Sequence, residues 1–248
     1  MNPGDVGVWH ADISLLESDA ARLQRSLAWL RDDEQSRFAR YRADSDRLNF
    51  LLGRVMARRL VGRALGVAPT DWQWGQGSHG RPEIETPATP LQFNLAHSSR
   101  LVACALAMNR EVGVDVEDSQ RAATDPAIVA RFCSPDEAAA IRVGEPEWRE
   151  RFLAIWTLKE AYLKARGLGI SVHLSDISFS VGAIDGDQSA NGPDVQVRFL
   201  NTLADADPHW TFRLVRAGPR YLLAVAAATP DGVQPAMTIE PFPADWLP

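Results

Sequence analysis

Residues 91–117 read LQFNLAHSSRLVACALAMNREVGVDVE. Leu91–Leu95 and Leu101–Ala107 are short apolar runs, Met108–Glu111 is a turn, and Val112–Glu117 alternates. The stretch therefore predicts three consecutive strands in an antiparallel meander. Upstream, residues 16–42 read as polar helix and turn. Leu48, Leu51, Leu52, Val55, Met56, Leu60 and Val61 then recur at helical spacing across Asp44–Leu65. Asp71–Pro90, rich in Gly, Pro and Trp, reads as loop with short strands. Downstream, residues 118–130 read as polar connection. Ser134-Pro135-Asp136-Glu137 supplies an N-cap, a first-turn proline and a third-position acid for a helix through Ile141. A stronger helix covers Glu147–Arg166 and stops at Gly167. Asp176–Val181, Val195–Leu200, Trp210–Arg216 and Tyr221–Ala227 read as strands. Helix followed by strands thus occurs twice, which predicts an α+β protein of two halves packed together.

Composition narrows the function. The 248 residues are 46% hydrophobic and 23% charged, enough for one large core or two modest ones. A net charge of −6 argues against a sequence-independent grip on nucleic acid or on an anionic membrane. Met1–Ser14 has neither a basic start nor an apolar run, and the longest apolar stretch, Tyr221–Ala228, is too short to span a bilayer. No export or membrane segment is expected. Cys104 and Cys133 are too few for a disulfide framework or a four-thiolate metal site, which fits a reducing cytoplasm. Of 26 basic residues, 24 are Arg; the two lysines, Lys159 and Lys164, lie in one segment. A genome biased towards Arg codons explains this as well as a site needing a compact point charge.

Four places carry possible chemistry. Strand alternation puts Asp115 and Glu117 on one face and Val114 and Val116 on the other. Two carboxylates about 6–7 Å apart along a strand can converge on a hard cation, or can simply be solvated. Glu160 and Lys164, four apart, share one face of the helix ending at Gly167. As a surface pair they would contribute roughly 0.3–0.5 kcal/mol. That helix is apolar on so much of its circumference that it must be largely buried, and a buried pair without function costs desolvation. In Phe93–Ser99 a strand ends in His97 with Ser98 and Ser99 behind it, a structural or a binding arrangement. Arg37, Arg40, Arg42, Arg47, Arg54, Arg58, Arg59 and Arg63 surround the helix over Asp44–Leu65, forming a solvated face or an anion patch. There is no Gly-x-Ser-x-Gly elbow, glycine-rich phosphate loop or His-rich zinc motif, which removes three common enzyme classes.

Taken in order, Gly80-Arg81-Pro82, FNLAHS (93–98), GVDVED (113–118), RFCSPDE (131–137) and WTLKEAYLKARGLG (156–169) resemble the surfactin-synthetase-activating type of 4′-phosphopantetheinyl transferases. The match covers roughly residues 35–180. The resemblance implies a monomer made of a pseudo-two-fold pair of α+β halves. Residues 1–113 would form the coenzyme A side and 114–248 the metal and carrier-protein side, with the active site in the cleft between them. It implies Mg2+-dependent transfer of phosphopantetheine from coenzyme A to a serine of an apo acyl or peptidyl carrier protein, with release of adenosine 3′,5′-bisphosphate. Asp115, Glu117 and Glu160 would hold the metal. Glu160, with Glu117 second, would be the base, and Lys164 would serve the leaving group and bind coenzyme A. Arg40, Arg47, Arg81, His97 and Ser98 would bind coenzyme A, and Phe132–Ile141 would meet the carrier. Ala96, where the family often has Ser, and Asn49, near an expected Arg, depart from the pattern. A non-catalytic coenzyme A-binding module and a Mg2+-dependent phosphohydrolase are the competing functions.

Overall fold

The computed structural model describes residues 4–77, 81–121, 125–168, 172–183, 192–200, 203, 209–230 and 232–248. The chain forms two compact units, Met1–Arg110 with Pro235–Pro248, and Glu111–Gln234. Each combines a sheet with one long helix, so the α+β class holds.

In the first unit, strand β1 (Val6–Asp12) precedes helices α1 (Ser14–Glu17), α2 (Ala20–Leu27), α3 (Asp32–Arg40) and α4 (Asp44–Leu65). Strands β2 (Gln73–Gln76), β3 (Pro82–Thr86), β4 (Leu91–Ser98) and β5 (Leu101–Met108) follow. The second unit contains β6 (Val112–Asp118), α5 (Ala127–Phe132), α6 (Pro135–Ile141), α7 (Trp148–Arg166), β7 (Ile177–Val181), β8 (Val195–Phe199), β9 (Trp210–Ala217) and β10 (Tyr221–Ala228). The chain then returns to the first unit as β11 (Met237–Pro241).

The first unit's main sheet runs β11-β1-β5-β4, with β11 parallel to β1 and the other pairs antiparallel. Helix α4 buries Leu51, Leu52, Val55, Met56, Leu60 and Val61 in a core shared with Phe93, Val102 and Leu106. This is the periodic set read from the sequence, without the half-buried Leu48. Gly66, at φ +70°, ends α4 by donating its amide to Gly62 O, a left-handed cap that glycine adopts without Cβ strain.

The second unit's main sheet runs β6-β10-β9, all antiparallel. Its centre, β10, is buried along its whole length. Helix α7 crosses β6 at Gly113, where a Cβ would lie 2.1 Å from Ala161 O and 2.4 Å from Ala165 N. Only glycine permits that approach, and it sets how near the rest of β6 comes to α7.

Three expectations are corrected. The meander breaks after its second strand. β5 already pairs with β4 on one edge and β1 on the other, so β6 has no edge to join and pairs with β10 in the second unit. The division falls at Arg110/Glu111, not after residue 113, and residues 235–248 belong to the first unit because β11 pairs with β1 and Phe242 and Leu247 enter that core. The polar connection over 118–130 includes most of α5.

Candidate active site

The expected site residues fall in two sets, one in each unit. In the second unit, Asp115 and Glu117 lie on the face of β6 that meets α7. Asp115 is 4% exposed. Lys164 Nζ, in the last turn of α7, donates to Asp115 Oδ1 at 2.5 Å. Asp115 Oδ2 is buried and has no hydrogen-bond partner among the described residues. Trp156 Nε1 donates to Glu117 Oε1 at 3.1 Å. A solvated strand face is therefore ruled out for Asp115. Lys164 reaches across to β6 rather than along its own helix to Glu160.

Asp115 and Glu160 are each shifted by burial and by the acids beside them. Burial raises Asp115 to about 7; Lys164 opposes the shift, and Glu117 and Glu160 add to it. Burial likewise raises Glu160, with Lys164 opposing and Glu117 adding. Mutually repelling, desolvated carboxylates are relieved by a shared cation. The donors are all oxygen, and one is buried and unpartnered, which suits a hard divalent ion. Among the described residues no group of three or more His, Cys, Asp or Glu side chains is arranged so that it could hold a metal ion. Mg2+ binds through as few as one or two carboxylates together with substrate phosphates and waters.

Lys159, the other lysine, points away from these acids. It is 1% exposed and donates to Glu137 Oε2 at 2.6 Å, Leu174 O at 2.8 Å and Phe132 O at 2.9 Å. Glu137 also accepts from the amides of Ser134 at 2.7 Å and Phe179 at 2.8 Å, inside the capping box that the sequence predicts for α6. This fully satisfied pair ties α5, α6 and β7 to α7. Phe132 packs edge-on against Trp156, with ring centroids 5.2 Å apart, so the expected carrier-contacting segment touches the group that holds Glu117.

In the first unit, a cavity of about 210 Å³ is lined by Arg37, Tyr41, Phe50, Arg54, Trp74 and His97, with Ala96 and Asn49 in its wall. Asn49 Nδ2 donates to Ser99 O at 2.8 Å and so fixes the β4–β5 turn, where Ser99 has φ +52°. Of the expected coenzyme A ligands, His97 alone lines this cavity. Arg47 is engaged locally, donating to Tyr41 O at 2.9 Å and Asp44 Oδ1 at 3.1 Å. Arg81 donates to Gln92 Oε1 at 2.8 Å. Arg40 is exposed at the end of α3, and Ser98 lies at the end of β4, one residue beyond His97. Gly80 and Gly169 lie outside the described residues. Arg37 and Arg54 were visible in the sequence as members of the basic patch, but only the rings they pack on single them out: Phe50 under both and Trp74 under Arg54.

Two family descriptions match the chain: "4'-phosphopantetheinyl transferase superfamily" over residues 111–226 and "4'-phosphopantetheinyl transferase, N-terminal" over residues 17–109. A 4′-phosphopantetheinyl transferase of Bacillus subtilis is 30% identical over 215 residues, covering 86% of this chain and 88% of its own. The transferase HetI of Nostoc sp. is 34% identical over 170 residues, with 67% and 70% covered. The transferase Sfp of Bacillus subtilis strain 168 is 27% identical over 210 residues, with 84% and 86% covered. The chain belongs to the 4′-phosphopantetheinyl transferase superfamily, and its activity is that of a phosphopantetheinyl transferase. Among the described residues no helix is long and apolar enough to cross a membrane.

Proposed function

We propose that this chain transfers the 4′-phosphopantetheine of coenzyme A to a serine hydroxyl of an apo acyl or peptidyl carrier protein, with Mg2+, and releases adenosine 3′,5′-bisphosphate. The observation that carries this reading is Asp115: a buried carboxylate with one oxygen on Lys164 and the other unpartnered, beside Glu117 and Glu160. Asp115, Glu117 and Glu160 are the residues that would hold Mg2+. When bound, the ion supplies charge neutralisation at the pyrophosphate oxygens.

The chain's own groups divide the remaining work. Glu160, raised by burial, is the first candidate to take the serine proton, with Glu117 second. Lys164 places an ammonium where negative charge develops on the departing nucleotide. The basic cavity of the first unit, with His97 in its wall, takes the nucleotide end of coenzyme A. Phe132–Ile141 meets the carrier, and its register is held by the Lys159–Glu137 pair. We read the chain as a cytoplasmic monomer: both residue sets lie in one polypeptide, and both cysteines are buried and unpaired.

The test is intact-mass analysis of apo acyl and apo peptidyl carrier proteins incubated with the chain, coenzyme A and Mg2+, with an EDTA control. A metal-dependent gain of one phosphopantetheine is expected. Coenzyme A bound with no carrier modified would replace this reading with a binding module, and coenzyme A cleaved without a carrier would replace it with a hydrolase.

A further inference from the structure

Arg220, in the turn between β9 and β10, fastens the end of β6 twice over. Its guanidinium makes a forked pair with Asp118, Nε to Oδ1 at 2.8 Å and a terminal nitrogen to Oδ2 at 2.5 Å. Its carbonyl accepts from the Ser119 amide at 2.9 Å and from the Ser119 hydroxyl at 2.8 Å. Asp118 Oδ1 also accepts from the Gln120 amide at 3.0 Å. The guanidinium carbon lies 5.5 Å from the ring centroid of Tyr221, which holds the fork from the side. The Asp118 side chain is 0% exposed and that of Arg220 35%, so a buried carboxylate is capped by a cation near the surface.

The fastened residues directly follow Glu117. Among the described residues β6 pairs with β10 alone, and that ladder couples Asp115 to Ala224 and Glu117 to Leu222. The same register carries on to Ser119 and Arg220, whose amide–carbonyl bond is its last rung. Glu117 is therefore two residues from the end of a strand with one neighbour, where a ladder opens most readily. Its carboxylate accepts from Trp156 Nε1 of α7, one turn before Glu160. Strand alternation turns Asp118 to the face opposite Glu117, so the fork ties down the backbone without occupying the acidic face. A buried ion pair adds little net stability, because desolvation offsets its attraction; what a bidentate fork fixes is direction.

We infer that Arg220 is a positioning residue for the transfer reaction: through Asp118 and Ser119 it keeps the end of β6 on the ladder and so holds the Glu117 carboxylate at the face of α7 that carries Glu160. The inference rests on the transferase reading and deepens it. The action runs through the strand, from a turn 102 residues beyond Asp118 in the chain. Without the fork Asp118 is a buried carboxylate short of its cation. The strand relieves that by lifting its last residues into water, which carries Glu117 away from Trp156.

The test compares Arg220→Gln, Arg220→Lys and the double variant Asp118→Asn, Arg220→Gln with wild type, each in the full chain. Hydrogen exchange followed by mass spectrometry, without metal or coenzyme A, reads the amides of residues 117–120. In Arg220→Gln they should exchange about 10- to 100-fold faster, the scale of losing a charge-assisted bond, with α7 and the centre of β10 unchanged. In transfer assays the Mg2+ concentration at half-maximal rate should rise about 10-fold, as on loss of an outer partner of a metal ligand, while KM for the carrier stays within about twofold. Arg220→Lys keeps the charge without the fork and should lie between in both measurements. The double variant removes the unpaired buried charge. It should recover melting temperature lost in Arg220→Gln but not the wild-type Mg2+ requirement, a split that a purely structural role does not give. If Arg220→Gln does not fold, the double variant carries the test. Wild-type exchange at 117–120 in a folded variant would overturn the inference, and so would a lowered rate at an unchanged Mg2+ requirement. Local exchange that depends on Arg220 in a chain that modifies no carrier would defeat the transferase reading and leave the clamp standing.

Discussion

Lys164 Nζ lies 2.5 Å from Asp115 Oδ1, joining the last turn of α7 to the middle of β6. The pair puts an ammonium against the carboxylate best placed to share a cation, because the other oxygen of Asp115 is buried and unpartnered among the described residues. Asp115→Asn and Glu160→Gln should each lower transfer by at least about 100- to 1000-fold, the scale of losing one electrostatic element of an active site. Urea midpoints should be close to wild type. Lys164→Ala should lower kcat more than it raises KM for coenzyme A. Full activity in either carboxylate variant would sink the metal assignment.

Gly113→Ala should be far more damaging than its size suggests. The added Cβ would lie 2.1 Å from Ala161 O and 2.4 Å from Ala165 N, both backbone atoms of α7 that cannot rotate away. A loss of about 1–3 kcal/mol or more in urea unfolding is expected, as for an overpacked core, together with impaired transfer as β6 and α7 separate.

The Lys159–Glu137 pair should show the asymmetry of buried ion pairs. Lys159→Met leaves Glu137 charged and partly unpaired at 0% exposure, for an expected cost of about 3–5 kcal/mol. The double variant Lys159→Met, Glu137→Gln should recover part of it. A single variant with an unchanged denaturation midpoint would show that the pair does not hold α7 to α6.

Acid should weaken the first unit through His10. Burial holds the imidazole on β1 below its ordinary value of 6.5. The unfolded chain therefore takes up a proton at a higher pH than the folded one. The contribution of His10 to stability is complete above 6.5 and is lost as pH falls from there towards the folded value. His10→Gln should lose less melting temperature between pH 7.5 and pH 5 than wild type does; equal losses would remove His10 as the cause.

Both thiols should be unreactive in the folded protein. Cys104 is 0% and Cys133 6% exposed, and burial pushes the Cys133 thiol up to about 12. A thiol-specific disulfide reagent at pH 8 should titrate neither cysteine within minutes in buffer and both in guanidinium. Prompt reaction in buffer would mean that one of the cores opens.

The sequence by itself determined the elements with strong periodicity or chemistry: α4 through its apolar recurrence, α6 through its capping box, α7 through its length and glycine stop. It also singled out Asp115, Glu117, Glu160 and Lys164, because their spacing follows from strand and helix geometry alone. It did not determine which strands pair. β6 looked like the third strand of a meander, and only β1, a segment without an apolar run to announce it, occupies the edge of β5 that β6 would have needed. Nor could it choose among the arginines on and just before α4, since they read as one basic patch and differ only in what lies opposite. Trp74 and Glu34, each twenty residues from Arg54 in sequence, select it across separations that periodicity does not span. Local patterns set which face a residue occupies, whereas partners are decided by long-range packing, and that appears only when the chain is folded.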